Sequence, residues 1–242
     1  MLYSAKYNFI YSKSVKTAST SAEAALEYLV RGEIGPHYTD SMMYPDGSRI
    51  GRRGRSNAKN DPHFNTPAFV KHHASLRKIR ALIGADAFDA ATKISSIRNP
   101  YDRCVSAFHF KGKKDLAECM RMKEEGQLDV LKQQFADYLS DDDYDGRGHF
   151  CFQSKMVIDH FIRMEEFAGD LRGVLDALKV PADVSTRITS SMPEFKKTDR
   201  SSSGLSLRDY YSEPTLELVN RRFADWFVWG NYPRCQSVHD LG

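Results

Sequence analysis

The chain has 242 residues, with 35 Lys and Arg against 32 Asp and Glu, a net charge of +3 at pH 7. That excess is too small to imply a nucleic-acid partner, but it fits an anionic ligand if the positive residues cluster. Apolar and charged fractions of 41% and 28% are ordinary for a globular protein, and the length suits one α/β domain over 1–242, or at most two small ones.

No apolar run is long enough to span a bilayer, and Met1 to Ile10 lack the basic-then-apolar pattern of a secretory signal. The first core strand begins almost at residue 1, which leaves no room for an N-terminal anchor and makes a cytoplasmic location the expectation. Cys104, Cys119, Cys151 and Cys235 are far apart with no C-x-x-C pair, so neither a zinc site nor a disulfide framework is expected, and all four should be reduced, partly buried thiols.

The chain opens on a strand, a loop and a helix. Tyr7, Phe9, Ile10 and Tyr11 form a short aromatic and β-branched run that predicts a strand. Ala22, Ala25, Leu26, Leu29 and Val30 fall on one face at helical spacing, with Ser19, Thr20 or Ser21 as N-cap and Gly32 as the stop. Between them lies Ser14-Val15-Lys16-Thr17-Ala18-Ser19-Thr20-Ser21. Such a strand-loop-helix turns backbone N–H groups and the positive end of the helix dipole on one spot suited to an oxyanion. Lys16 adds a charge, and the hydroxyls of Thr17, Ser19, Thr20 and Ser21 add donors. An ordinary surface turn rich in Ser and Thr is the bland alternative. The Walker pattern G-x-x-x-x-G-K-[ST] fails, because Ile10 and Val15 occupy its glycine positions although Lys16-Thr17 keeps its Lys-Thr pair. A different phosphate-bearing ligand is implied, and the case for magnesium weakens.

Residues 32–67 hold most of the breakers and read as an irregular basic insert with Arg49, Arg52, Arg53, Arg55 and Lys59, either a solvated loop or a wall for an acidic acceptor. A strand is predicted around Phe69-Val70, and a helix over Ala74 to Ile83 ended by Gly84. Thr92 to Ile97 alternates and predicts the second important strand. It runs into Arg98-Asn99-Pro100-Tyr101-Asp102-Arg103-Cys104-Val105-Ser106, where Pro100 suits a first helical position. Arg98 then stands at a strand end and Ser106 on the helix. Strand ends with cations that open helices build ligand crevices at the carboxyl edge of a parallel sheet.

Residues 111–150 form a helical insert, with Leu128, Leu131, Phe135 and Leu139 on one face. Asp141 to Gly146 mimics the start of a calcium loop, but Phe152 stands where Glu is needed, so the run reads as a solvated acidic turn. Val157 to Met164 predicts a third strand and Phe167 to Leu178 a helix. Residues 194–208 are a polar loop, and a last helix spans about Pro214 to Trp229.

Three stretches carry a family resemblance. FIYSKSVKTASTS resembles the 5′-phosphosulfate loop of sulfotransferases that use 3′-phosphoadenosine 5′-phosphosulfate (PAPS), and SSIRNPYDRCVSAFHF resembles their 3′-phosphate motif. FIRMEEFAGDL, with RDYYSEPTLELVNRRFADWFVWGNY, resembles the later strand-Glu-helix element and the C-terminal helix ending in Gly-x-Tyr. The set is most similar to the carbohydrate branch that includes heparan sulfate 2-O-sulfotransferase and soluble bacterial members. The resemblance implies a P-loop-like three-layer α/β domain, a central parallel sheet flanked by helices, with no metal.

It also implies roles. Lys16 contacts the phosphosulfate and stabilises the leaving oxygen, Thr17, Ala18, Ser19, Thr20 and Ser21 cradle the same group, and Arg98 and Ser106 hold the 3′-phosphate. Arg103 matches the motif too, although an ion pair with Asp102 is an equal reading. Lys196, Lys197 and Arg200 lie where such proteins close a loop over the nucleotide. The reaction also needs a base, and Lys71-His72-His73-Ala74-Ser75 resembles a His-Ala-Ser/Thr stretch of bacterial relatives, which favours His73, then His72. A structural role for either is the alternative, and His37, His63 or Glu23 come next. The implied partner is a hydroxylated acceptor, a carbohydrate in the sense of the branch resembled. Two other readings stay open: a nucleotide-loop kinase using ATP and magnesium, and a non-catalytic module binding acidic glycans.

Overall fold

The computed structural model describes residues 1–54, 59, 61–64, 66, 70–71, 73–191 and 203–241. In chain order its strands are β1 (Leu2–Ser4), β2 (Phe9–Ser12), β3 (Met42–Met43), β4 (Arg49–Ile50), β5 (Thr92–Ile97), β6 (Cys151–Phe152), β7 (Lys155–Met156) and β8 (His160–Arg163). Its α-helices begin with α1 (Ser19–Leu26), α2 (Tyr28–Arg31), α3 (Leu76–Ile83), α4 (Ala85–Ala90), α5 (Pro100–Lys111) and α6 (Leu116–Glu124). They continue with α7 (Leu128–Asp141), α8 (Arg147–Phe150), α9 (Phe167–Ala177), α10 (Ala182–Ser190), α11 (Glu213–Arg222) and α12 (Ala224–Trp229). The chain divides into two compact units, Met1–Ile97 with Gly146–Lys196 and Arg98–Asp145 with Lys197–Gly242.

The first unit is built on a sheet of order β3-β4-β1-β2-β5-β8. β2, β5 and β8 run parallel, in register from Phe9 opposite Thr92 and from Ile94 opposite His160. β1, β4 and β3 extend the sheet by antiparallel pairing. β2 is buried at every position and β5 at all but its first, the signature of strands covered on both faces. Phe9, Tyr11, Ile94 and Ile162 of the parallel strands meet Ala22, Ala25 and Leu26 of α1, Leu171 and Val174 of α9, and Ile188 of α10 in one core. The fold is therefore α/β, a mostly parallel central sheet flanked by helices.

The predicted strand over Tyr7 to Tyr11 shifts to β2, because Asn8 takes a left-handed conformation (φ 48°) in the turn from β1. The first helix ends at Gly32 (φ 80°) as expected, but breaks at Glu27 into α1 and α2. Val70 is described and lies outside any strand, while Phe69 lies outside the described residues. α3 starts at Ser75, whose hydroxyl accepts from the Lys78 amide. The last helix divides at Phe223 into α11 and α12.

In the second unit, α5 and α7 pack through Phe108 and Phe135, ring centroids 5.3 Å apart, and Phe135 meets Tyr211 at 4.9 Å. The acidic turn is not solvated throughout. Asp142 is buried between Arg103 and Lys111, each 3.1 Å away; burial opposes its charge, but these two cations hold its carboxyl below the usual range. All four cysteines are free thiols, with Cys104 and Cys119 buried and Cys151 and Cys235 half-buried. Among the described residues no helix is long and apolar enough to cross a membrane.

Candidate active site

At the end of β2 the chain leaves the sheet through a lattice of buried hydroxyls. Ser95 donates to the Ser12 carbonyl (2.6 Å), and Ser12 donates to the carbonyl of His149 (2.8 Å). The Ser14 hydroxyl donates to the Ser96 carbonyl (2.6 Å). Its single proton being committed there, the contact of 2.6 Å with Thr17 has Thr17 as donor. Ser19 donates to the Ser14 carbonyl at 2.7 Å. The hydroxyl protons of Thr17 and Ser19 thus lock the loop's own shape.

Above this lattice the backbone alternates. Lys16 (φ 66°) and Ala18 (φ 55°) are left-handed, Val15 and Thr17 are not. Such alternation turns successive amides into one concavity and costs about 1–2 kcal/mol per left-handed residue. Ala18 also holds the N-cap position of α1, with no side-chain cap; Ser19, Thr20 and Ser21, expected to cap the helix, lie inside it. The Ala18 carbonyl accepts from the Ser21 and Ala22 amides, while those of Thr17, Ala18, Ser19 and Thr20 find no acceptor among the described residues. Four donors at a helix N-terminus without an acceptor are a ready anion site.

The stem of the loop is held by charge. Glu23, inside α1, is fully buried and receives Lys13 and the Met1 amino group at 2.7 Å each, and Arg53 at 3.3 Å. Burial alone would raise its carboxyl, but Lys13, the Met1 amine and Arg53 together hold it well below the usual range. Arg53 also pairs with Glu27 and donates to the Pro36 carbonyl. Glu27 shares that guanidinium, so burial prevails and its carboxyl is raised. Gly35 packs against this pair so closely that a Cβ would fall 2.0 Å from Glu27 Oε2. Glu23 is consequently no candidate base, and Arg53 is neither a solvated cation nor part of an acceptor wall. Arg52 is buried as well.

His73 reaches this stem. Its Nδ1 lies 2.9 Å from the Lys13 carbonyl oxygen. A carbonyl only accepts, so Nδ1 carries the hydrogen and Nε2 of the neutral ring keeps the lone pair a base needs. The ring packs edge-on against that of His149, centroids 6.1 Å apart. His149, buried at the end of α8, was not singled out from sequence; the only signal was a histidine beside the buried Phe150, which says nothing of a partner 76 positions earlier in the chain. His72, Lys196, Lys197 and Arg200 lie outside the described residues.

Arg98 and Ser106 belong to the second unit. Asn99 caps α5, its side chain accepting from the Tyr101 amide (3.0 Å), and Pro100 is the first helical residue, as predicted. Arg98 pairs with Asp102, and Asp102 and Ser106, four residues apart, share a face of α5. The expected partner of Arg103 is corrected. Arg103 is fully buried, paired with Asp142 and stacked on Tyr144 at 4.4 Å, so it is a structural ion pair inside the second unit.

The first unit thus offers amides with no acceptor among the described residues, Lys16 beside them and an oriented imidazole on the stem below, an arrangement able to hold an oxyanion and take up a proton. Among the described residues no cluster of His, Cys, Asp or Glu could hold a metal ion. Comparison with curated proteins finds no match, and comparison with solved structures finds none. Residues 1–224 match the model of the sulfotransferase family, whose fold is P-loop-like. A match over so much of the chain, spanning the loop, β5, α5 and the later helices, means that this protein belongs to the sulfotransferase family.

Proposed function

We propose that the chain transfers the sulfuryl group of PAPS to a hydroxyl of a saccharide acceptor. The observation that carries this is the hydrogen bond from His73 Nδ1 to the Lys13 carbonyl, which ties an oriented imidazole to the stem of the anion-holding loop. The acceptor oxygen attacks sulfur in line, forming the new S–O bond as the bond from sulfur to the phosphate oxygen breaks. The acceptor proton passes to His73 Nε2, and the developing charge on the leaving phosphate is met by Lys16 and by the amides of Thr17 to Thr20. Fixed donors that are already oriented need no reorganisation as charge develops, which is where they contribute most. The 3′-phosphate is assigned to Arg98 and Ser106. A guanidinium already paired to Asp102 is held in orientation, and a planar charged donor of this kind suits phosphate oxygens. Family membership supports sulfuryl over phosphoryl transfer.

The test is a calorimetric titration with adenosine 3′,5′-bisphosphate, beside ATP with magnesium. Metal-independent binding that is lost when the 3′-phosphate is removed is the expected result. Preference for magnesium-ATP returns the kinase reading, and binding of neither nucleotide favours a non-catalytic glycan-binding module.

A further inference from the structure

We infer that His149 is the positioning residue for His73: its ring, packed edge-on against that imidazole, fixes the plane in which Nε2 meets the acceptor proton. The inference rests on the sulfuryl-transfer reading above, in which His73 is the base.

The need for such a residue is geometric. The torsion that turns a histidine ring is soft, with broad wells. The bond from His73 Nδ1 to the Lys13 carbonyl, 2.9 Å long, fixes one ring atom. A ring held at one atom still pivots about it, and Nε2 swings with the pivot. A displacement of about 1 Å at the reacting atoms is enough to cost about 10²-fold in rate. The His149 ring limits that swing. Its centroid lies 6.1 Å from that of His73 at an interplanar angle of 70°, the geometry of an edge-to-face aromatic pair.

His149 is itself held fast, and by the same stretch of chain. Ser12 donates to the His149 carbonyl at 2.8 Å, and Lys13, the next residue, accepts from His73. Consecutive residues keep their Cα atoms about 3.8 Å apart, so covalent geometry sets the spacing between the anchors of the two histidines. Both anchors are rigid. Ser12 and Lys13 are buried, Ser95 donates to the Ser12 carbonyl at 2.6 Å, and the Lys13 ammonium is bound to Glu23. On the other side of His149, buried Phe150 packs edge-on against Phe161 of β8, centroids 5.2 Å apart, and its carbonyl accepts from the Val157 amide at 3.0 Å. α8 also runs beside the segment that carries His73, since a Cβ on Gly148 would stand 3.8 Å from that of Ser75. His149 is buried and His73 half-buried, so His73 is the more accessible ring of the pair and His149 backs it.

The experiment reads the histidine ring nitrogens of the full, isotopically labelled chain by NMR at neutral pH, with the His73 signals assigned from their loss in His73→Asn. Wild type should show His73 as one tautomer, with hydrogen on Nδ1 and the lone pair on Nε2. His149→Leu and His149→Phe both lack the nitrogens of His149, but only phenylalanine keeps a flat ring. Leucine should therefore turn the single tautomer into an averaging mixture, and phenylalanine should preserve it. Affinity for adenosine 3′,5′-bisphosphate should stay within about twofold of wild type in both variants. In sulfate transfer from labelled PAPS, His149→Leu should lose about tenfold in turnover at unchanged KM for PAPS, and His149→Phe should stay within about twofold of wild type. A tautomer mixture in wild type, an unperturbed tautomer in His149→Leu, or equal turnover loss in both variants overturns the inference. Loss of bisphosphate affinity in His149→Leu overturns it too, by making His149 part of the loop's scaffold. Absence of transfer by the wild type, or failure of the bisphosphate to bind it, overturns the donor reading instead; the tautomer measurement needs neither ligand and still decides the role of His149.

Discussion

Lys13 and Lys16 stand three residues apart in one loop and play opposite parts. Lys13, 2% exposed, is bound to Glu23 in a network with Arg53 and the Met1 amine. Lys16, half-buried and left-handed, stands among amides that have no acceptor among the described residues. The stem pairs its charges internally and so holds its shape, whereas the tip carries amide donors with no acceptor among the described residues. α5 repeats the contrast within the second unit, where Arg103 is sealed against Asp142 and Tyr144 while Arg98 pairs with a partly exposed Asp102. Cations of identical formal charge thus differ in what surrounds them, Lys13 and Arg103 being locked to buried or nearly buried carboxylates and Arg98 to a partly exposed one.

Substitutions can break that division, beginning with the largest expected effect. His73→Ala should lower turnover by about 10²- to 10⁴-fold while leaving bisphosphate affinity intact, measured by sulfate transfer from labelled PAPS. Full turnover in this variant would remove the imidazole from the chemistry.

Glu23→Gln strikes the stem. It leaves Lys13 and Arg53 without their shared carboxylate and should destabilise the protein by about 3–5 kcal/mol in denaturant unfolding. The wild-type acid response follows from the same group. Glu23 is held below 4.5, its ordinary value, so in the unfolded chain it takes up a proton that the native state refuses. Its contribution is therefore complete above that value and is lost as pH falls through the lower native one. The variant should lack that part of the acid dependence, and an unchanged pH profile would show that Glu23 is not the group responsible.

Lys16→Ala strikes the tip and should cost about 10²- to 10³-fold in turnover with unfolding unchanged, the reverse of the Glu23 result. A stability loss without a catalytic one would place Lys16 with the stem. Arg98→Ala should weaken adenosine 3′,5′-bisphosphate by about 1.5–3 kcal/mol and adenosine 5′-phosphate far less. Equal weakening of both ligands by calorimetry would contradict the 3′-phosphate assignment.

Local signals reached the parts of the fold that depend on neighbours in sequence. β5, the start of α5 at Pro100 and α9 stand where alternation, a proline at the first helical position and helical spacing put them, because each is decided by steric and hydrogen-bonding rules acting over a few residues. β1, the β6–β7 hairpin and α10 escaped notice. The two strand elements carry too few residues for a period to show, and the hairpin turns on Gln153-Ser154 where a glycine would have announced it. The acidic run around Asp142 looked solvated because nothing local reveals that Arg103 and Lys111 of α5 bury it.

The sequence by itself determined an α/β chain with a strand-loop-helix around Lys16 and a helix opening at Pro100 after Arg98, since such patterns are written in contiguous stretches. Only the tertiary structure decided which charges are taken up in buried ion pairs. Pairing of Glu23 with Lys13 and Arg53, the hold of Lys13 on His73, and the approach of His149 join residues 10 to 76 positions apart. Burial and ion pairing act through space, and they divide chemically identical side chains into scaffold and site.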